Sequence, residues 1–269
     1  MMSSHRHKKH LLNLRYVTLF LLFIFVWAGC GSEEKDLEQH TEIQSGERYA
    51  FSQWQPNVTY EGALRNIMRE NNLSAHLHFE DFPLRSTIYA LGAFEDLKGE
   101  ILILRGESYS TRAVADEVRF IDLENESAAF MVWAEVEKWQ GFEVPDSVLS
   151  FTELENFTAL QANNFGIDQT KPFPFGLTGT VAELSWHVID WPEDDTVHTH
   201  EKHMVTGPHG VLTGIPAEIL GFYSDSHHGI FTHHSSNMHL HFVSQPPLYS
   251  GHVDDLTLSP GSTLWLPAE

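Results

Sequence analysis

The stretch MHLHFVSQPPLYSGH, residues 238–252, predicts two neighbouring strands that carry three histidines. Side chains of a strand point alternately to its two faces, so His239 and His241 share one face and the apolar residues around them take the other. The two prolines and the glycine that follow can turn the chain back, which would bring His252 onto an adjacent strand. The stretch therefore predicts three imidazoles close together on one sheet.

Three neutral imidazoles with further coordination positions left open are typical of a catalytic site for Zn²⁺ or another divalent transition metal. The alternative interpretation is a set of exposed histidines on an acidic surface, because a His-x-His pattern alone is a weak signal. The distribution is skewed, since 12 of the 18 histidines lie between residues 187 and 252. This part of the chain is therefore the predicted location of the chemistry.

The remaining histidine groups favour other roles. In AHLHF (75–79), which repeats the HLHF string, we expect structural or surface histidines. In HTHEKH (198–203), we expect a solvated loop rather than a ligand set. The segment HHGIFTHH (227–234) contains two pairs. We expect His227 and His228 at the surface, whereas a surface position and a pocket position are equally open for His233 and His234.

Outward from this stretch, the pattern predicts a β-rich α+β fold. Two segments have helical periodicity: 59–72, and 150–161 with Ser150 and Glu153 at capping-box spacing. Alternating or continuous apolar runs bounded by Gly, Pro, Asn and Asp predict strands at 99–106, 128–136, 175–189, 217–224, 238–244 and 262–267.

The first 29 residues predict an export signal rather than a folded segment. A basic start is followed by the short apolar run VTLFLLFIFVWAG, and the run ends directly before Cys30. The ending WAGC resembles the lipobox of bacterial lipoproteins, which implies lipidation of Cys30. We therefore expect an exported protein held by a lipid anchor on the bacterial cell envelope, with residues 30–50 as an acidic flexible tether.

Charge and cysteine content exclude several classes of protein. The formal net charge is −21, which argues against nucleic acid as a partner and against anionic lipid beyond the acyl anchor. Cys30 is the only cysteine, so no intrachain disulfide can form.

Three motifs in order, ILGF (219–222), MHLHF (238–242) and SGHV (250–253), resemble the C-terminal half of the acetolactate decarboxylases. Two earlier stretches, LGAFEDLKGEILILRGESY (91–109) and PFPFGLTGTVAEL (172–184), resemble further segments of that family. The resemblance implies a fold of two subdomains with mixed or antiparallel sheets over 51–269, divided at about residue 160. It implies His239, His241 and His252 as zinc ligands, Glu100 as a catalytic carboxyl group, and a homodimer.

The sequence departs from the family pattern at two places. His187 in LSWH occupies the position of a family arginine, and arginine offers a permanent charge and a planar fork that histidine lacks. We treat His187 as a catalytic candidate for that reason. The family also continues beyond its Leu-Pro strand into a tail with a second active-site glutamate, whereas this sequence ends at Glu269.

The resemblance predicts a zinc-dependent enzyme that decarboxylates 2-acetolactate to acetoin and CO₂, or acts on a related 2-hydroxy-3-oxo acid. Because the two departures affect the active site, a non-catalytic zinc-buffering lipoprotein on the same scaffold is the alternative. A cupin-like oxygenase would also use His-x-His, but the sequence lacks the glutamate that often follows that motif in cupins.

Overall fold

The computed structural model describes residues 55–115 and 117–269. The predicted signal peptide, the tether of residues 30–50 and the lipidation site Cys30 lie outside the described residues. Within the part that is described, no helix has the length and apolar character needed to cross a membrane.

The N-terminal half forms an eight-stranded antiparallel sheet. Its strands are β1 (Val58–Glu61), β2 (Leu77–His78), β3 (Ile88–Phe94), β4 (Glu100–Leu104), β5 (Glu107–Ser108), β6 (Thr111–Val114), β7 (Glu117–Phe120) and β8 (Ser127–Glu135). The main path runs β1-β8-β3-β4-β6-β7, with β2 on β8 and β5 on β4. Strand β4 is buried along its whole length, so the residues at its start lie inside the molecule.

The C-terminal half forms a six-stranded antiparallel sheet. Its strands are β9 (Lys138–Glu143), β10 (Phe173–His187), β11 (His209–Tyr223), β12 (Met238–Ser244), β13 (Ser250–Leu258) and β14 (Thr263–Ala268), in the order β11-β12-β13-β10-β14-β9. Strand β10 also pairs with β11 from residue 173 to residue 187. Strands β10 to β13 therefore close into a circuit, and the ends of β10, β12 and β13 are held side by side.

The described chain also contains three α-helices, α1 (Leu64–Glu70), α2 (Phe151–Phe165) and α3 (His200–His203), and two short 3₁₀ helices at Phe79–Asp81 and Glu95–Leu97. The capping box predicted for the second helix is confirmed, because the Ser150 side chain accepts the Glu153 N–H and Glu153 accepts the Ser150 N–H. With two antiparallel sheets and few helices, the β-rich α+β prediction is confirmed as well.

The prediction of one helix over 59–72 was wrong at its start, because residues up to Glu61 form β1 on the edge of the first sheet. Gly62 separates the two elements with φ at +73°, and a Cβ there would lie 2.2 Å from the Ala129 carbonyl oxygen. A residue with a side chain at this point would therefore collide with β8. Helical periodicity does not register this tertiary constraint.

The predicted strands all fall on observed ones, but the segment at 217–224 is longer than expected and begins at His209. Gly210, Gly214 and Pro216 read as strand breakers in sequence. They are tolerated because pairing with β10 continues past them, from His209 to Tyr223.

The two sheets share a hydrophobic core. Leu91, Leu102 and Phe130 of the first sheet cluster with Leu220 and Phe222 of the second. Each sheet also has a separate cluster of its own on its other side. Because the shared cluster packs β4 against the C-terminal sheet, residues at the start of β4 can reach the ends of β10, β12 and β13.

Candidate metal centre

Four imidazoles converge where β10, β12 and β13 lie side by side. His252 is the direct cross-strand neighbour of both His187 on β10 and His241 on β12. Its ring centroid lies 4.8 Å from that of His187, 5.4 Å from that of His241 and 5.0 Å from that of His239. The return from β12 to β13 that the sequence predicted is present, and it brings the three predicted ligands together.

The tautomer of His239 follows from its hydrogen bond. Its Nδ1 lies 2.7 Å from the Phe231 carbonyl oxygen, which can only accept, so Nδ1 carries the proton and Nε2 carries a lone pair. The Phe130 ring stacks on His239 at 5.7 Å between centroids and restrains its orientation. The free Nε2 lies 3.2 Å from Nε2 of His241.

The His241 ring is completely buried, and its Nδ1 has no hydrogen-bond partner among the described residues. A direct hydrogen bond to His239 would need the His241 proton on Nε2, and that atom would then have no lone pair to offer a cation. With the proton on Nδ1, both Nε2 lone pairs face one point, as two ligands of one cation must. This donor set therefore fits a divalent metal that accepts nitrogen ligands.

Burial keeps these ligands neutral. It lowers the pKa of His239 well below its ordinary value, with a further contribution from His252. Burial likewise lowers the pKa of His241, and His239 adds to the effect. Neutral imidazoles at neutral pH hold their lone pairs available, so protons do not compete strongly with a metal there.

Asp254 holds two of the four rings and was missed in the sequence analysis. Its Oδ1 lies 2.8 Å from Nδ1 of His187 and 3.2 Å from Nδ1 of His252. Burial opposes its charge, but the hydrogen bonds from the two histidines outweigh burial and hold its pKa well below the usual range. The only sequence signal was its position two residues after His252, on the same face of a strand.

The ligand atoms of His187, His252 and Asp254 also lie within 4.8 Å of one another, so this group too could hold a metal ion. Since one Asp254 oxygen accepts from both Nδ1 atoms, the Nε2 atoms of the two histidines are turned away from it. In such an arrangement the carboxylate accepts from Nδ1 and orients the ring, and the lone pair of Nε2 remains for a metal.

Glu100 enters this cluster from the other sheet, at the first residue of β4. Its Oε2 lies 3.6 Å from Nε2 of His241 and its Oε1 lies 3.7 Å from Nε2 of His187. The Ile189 N–H donates to Oε1 at 3.2 Å. Burial raises the pKa of Glu100 to about 7, against the lowering effect of His252, so both of its protonation states are accessible near neutral pH.

The cluster opens into a cavity of about 430 Å³. The wall is built from α1, α2 and α3, the segment at 233–236, and the strands that carry the cluster. Glu100, His187, His239 and His252 line it, whereas His241 lies behind the surface. None of the described residues that line the cavity is a lysine or an arginine.

Two further histidines of the cavity wall come from HTHEKH, for which a solvated loop was predicted. That prediction was wrong: the segment forms α3, and His200 and His203 line the cavity. His198 anchors the helix, because its Nε2 lies 2.7 Å from Asn71 Oδ1, its Nδ1 lies 2.9 Å from His203 Nε2, and its ring stacks on Trp191. The contact with Asn71 joins distant parts of the chain and leaves no local signal in the sequence.

The other histidines divide between wall and surface. His233 lines the cavity, while His234 is exposed and packs on the His233 ring at 4.0 Å. His228 is at the surface as predicted, but His227 is half-buried against Phe231, with 4.9 Å between ring centroids. His76 and His78 of the first HLHF string are exposed, which confirms their separation from the site.

Comparisons with known proteins identify the family of this chain. A sequence model described as alpha-acetolactate decarboxylase matches residues 88–265. No curated protein sequence matches significantly.

Three solved structures share the fold. They are the alpha-acetolactate decarboxylase of Bacillus subtilis strain 168 (14% identity, TM-score 0.61, covering 80% of this chain and 86% of that one), the acetolactate decarboxylase of Bacillus subtilis subspecies spizizenii (16%, 0.61, 80% and 87%), and a Staphylococcus aureus protein of unknown function similar to alpha-acetolactate decarboxylase (16%, 0.59, 79% and 86%). With the family model covering most of the chain, the protein belongs to the alpha-acetolactate decarboxylase family.

Proposed function

We propose that this protein is a zinc-dependent decarboxylase that converts 2-acetolactate, or a closely related 2-hydroxy-3-oxo acid, to acetoin and CO₂. One observation carries the proposal: His239, His241 and His252 of one sheet meet Glu100 of the other beside a single cavity, which all of them except His241 line. Family membership supports the same class of reaction.

His239, His241 and His252 would hold the zinc ion through their Nε2 atoms. Zinc bound there supplies Lewis-acid chemistry, since a dication near the ketone and hydroxyl oxygens of the substrate favours the charge that develops when CO₂ leaves. Asp254 keeps the Nδ1 proton of His252 in place, and the Phe231 carbonyl does the same for His239. These two contacts orient the ligands before any metal arrives.

Glu100 is the proposed proton donor. When the bond between C2 and the carboxylate breaks, its electron pair moves into an enediolate, and a proton must then reach C2 to give acetoin. A buried carboxyl group with its pKa near 7 can carry that proton at neutral pH and regain one afterwards. His187 lies beside it, with Nδ1 held by Asp254 and Nε2 3.7 Å from Glu100. We assign His187 the role of orienting Glu100.

The test is acetoin formation by the full chain, purified without immobilised metal, loaded with zinc and supplied with 2-acetolactate. We expect turnover that is lost with a chelator and in His239→Ala. Glu100→Gln should retain zinc but lose about 10²- to 10⁴-fold in kcat. A fully zinc-loaded wild-type protein with no turnover would refute the proposal.

We also propose that the protein works at the cell envelope, held by a lipid on Cys30. The support is the motif WAGC at residues 27–30, which follows a basic and apolar leader. Cell fractionation tests this: the wild type should sediment with membranes, and Cys30→Ala should not. Equal partition of the two proteins would contradict the anchor.

A further inference from the structure

The cavity must contain groups that bind the carboxylate of the proposed substrate. The proposed substrate is an anion, yet no lysine or arginine is among the described residues of the wall, which also includes the carboxylates of Glu155 and Asp255. Glu155 is occupied, because Ser236 Oγ donates to it at 2.7 Å and the Asn237 N–H at 3.3 Å. The groups of the wall that are left to receive an anion are mainly histidines.

His200 and His233 stand out among these because they form a pair. They come from α3 and from the segment before β12, and their ring centroids lie 4.6 Å apart. Among the described residues, no hydrogen bond uses either ring nitrogen of His200. The pair lines the same cavity as His252. Burial lowers the pKa of both rings, and neighbouring histidines add to the effect.

The donor atom of His233 can be assigned. The Ser235 backbone N–H, which can only donate, points to Nδ1 of His233 at 3.4 Å, and Ser235 Oγ lies 2.8 Å from the same atom. Nδ1 therefore accepts, and in the neutral ring the proton is on Nε2. That N–H has no acceptor among the described residues, so it is available to a ligand.

We propose that His200 and His233 form the subsite for the substrate's carboxylate, each through one N–H donor. The inference rests on the proposed function, which supplies the identity of the anion. It assigns to this pair, rather than to His187, the recognition that an arginine would otherwise provide.

Neutral donors suit a group that is about to leave as CO₂. An arginine fork binds a full carboxylate charge strongly, and this charge disappears during the reaction. Two neutral N–H groups orient the carboxylate but stabilise its charge less, so less of the binding must be given up in the transition state.

The test compares two small ligands on the zinc-loaded full chain by calorimetry. One is 2-hydroxy-2-methylbutanoate, which has the carboxylate and the hydroxyl group but cannot lose CO₂ through a ketone. The other is acetoin, which lacks the carboxylate. In His200→Ala and in His233→Ala, we expect about tenfold weaker binding of the carboxylate ligand and less than about twofold change for acetoin.

Three controls separate recognition from structure. His233→Gln keeps an N–H donor and should recover part of the affinity. His78→Ala removes an exposed histidine of the first sheet and should change neither ligand. Zinc content should remain equal to that of the wild type in every variant.

The experiments distinguish an error in the proposed subsite from an error in the proposed reaction. If the alanine variants lose both ligands equally, or neither, or if the wild type does not bind the carboxylate ligand, the subsite is refuted even when 2-acetolactate is turned over. If the expected ligand pattern appears but no acetoin forms from 2-acetolactate, the subsite stands and the proposed reaction is wrong. With turnover present, the alanine variants should raise KM about tenfold and change kcat less.

Discussion

One carboxylate organises the centre at the scale of single residues. Asp254 accepts from His187 and His252 through the same oxygen, so it sets the tautomer of both rings. An amide oxygen at this position could still accept from both rings but carries no charge, and the amide NH₂ group would face an Nδ1 proton if it turned. The orientation of His252 therefore depends on the charge of Asp254.

Asp254→Asn should weaken zinc binding about 10- to 100-fold, because the outer hydrogen bond that orients His252 loses its charged acceptor. Competition with a chromogenic chelator gives the affinity. Asp225→Asn, at an exposed position, is the matched control and should bind zinc like the wild type. Equal affinities for the two variants would show that Asp254 does not orient the ligand.

Glu100 should make the metal-free protein sensitive to pH. Burial raises its pKa from 4.5 to about 7, so the folded state favours the protonated form. As pH rises from 4.5 to about 7, the unfolded chain releases this proton first, and the folded state loses stability relative to a variant that cannot ionise. The total effect is on the order of 3 kcal/mol.

The measurement is the difference in free energy of unfolding between the wild type and Glu100→Gln, after chelator treatment, at several pH values. The difference should shift in favour of the variant between pH 4.5 and 7 and then level off. Buried histidines such as His239 act in both proteins and cancel. A difference that does not change with pH would contradict the raised pKa.

At the scale of elements, strand register brings the centre together. Gly251 lies next to His252, and a Cβ there would lie 2.5 Å from the His187 carbonyl oxygen. The close approach of β13 to β10 thus requires a residue without a side chain. The same approach places the His187 and His252 rings 4.8 Å apart.

Gly251→Ala should push β13 away from β10, at a cost of about 2 kcal/mol in stability and roughly tenfold in zinc affinity. Gly210→Ala is the matched control, since Gly210 also lies in a strand but the nearest atom to its Cβ would be 3.9 Å away. Denaturant unfolding and zinc titration check both variants. If Gly210→Ala loses zinc affinity as well, the close approach of β13 to β10 is not the cause of the loss in Gly251→Ala.

Local patterns carried the predictions that succeeded. The alternation in MHLHF and the prolines before SGH describe a strand and its return, and the capping box at Ser150 describes a helix start. The convergence of Glu100 and Asp254 on the histidines could not be read in this way, since Glu100 comes from the other sheet. The cavity role of His200 depends on how α3 is anchored, and one anchor, the contact between His198 and Asn71, joins distant parts of the chain.

At the scale of the whole molecule, the centre is shared between the sheets. The second sheet supplies the imidazoles, and the first supplies Glu100 at the start of a fully buried strand. The core that joins Leu102 and Phe130 to Phe222 holds the two parts in register. A proton donor on one sheet and ligands on the other make the chemistry depend on sheet packing, and no segment of the chain contains the whole site.

Zinc should therefore stabilise the whole fold and not just a loop. At free zinc 1,000 times its Kd, binding contributes about 4 kcal/mol, which for a domain of this size raises Tm by about 10 °C. Calorimetric scans with and without zinc measure the shift, and elemental analysis should give one zinc per chain. The double variant His239→Ala/His241→Ala should lose both the shift and the metal.

The chain contains its own control for that experiment. His76→Ala/His78→Ala removes the same pair of residues from the other HLHF string, whose two histidines are exposed. It should keep the full zinc-dependent shift, because an exposed pair without a third imidazole binds zinc weakly. If the shift instead survives in His239→Ala/His241→Ala, or if several zinc ions remain bound, the histidines of α3 and its surroundings are the main zinc ligands, and buffering becomes the better account of this protein.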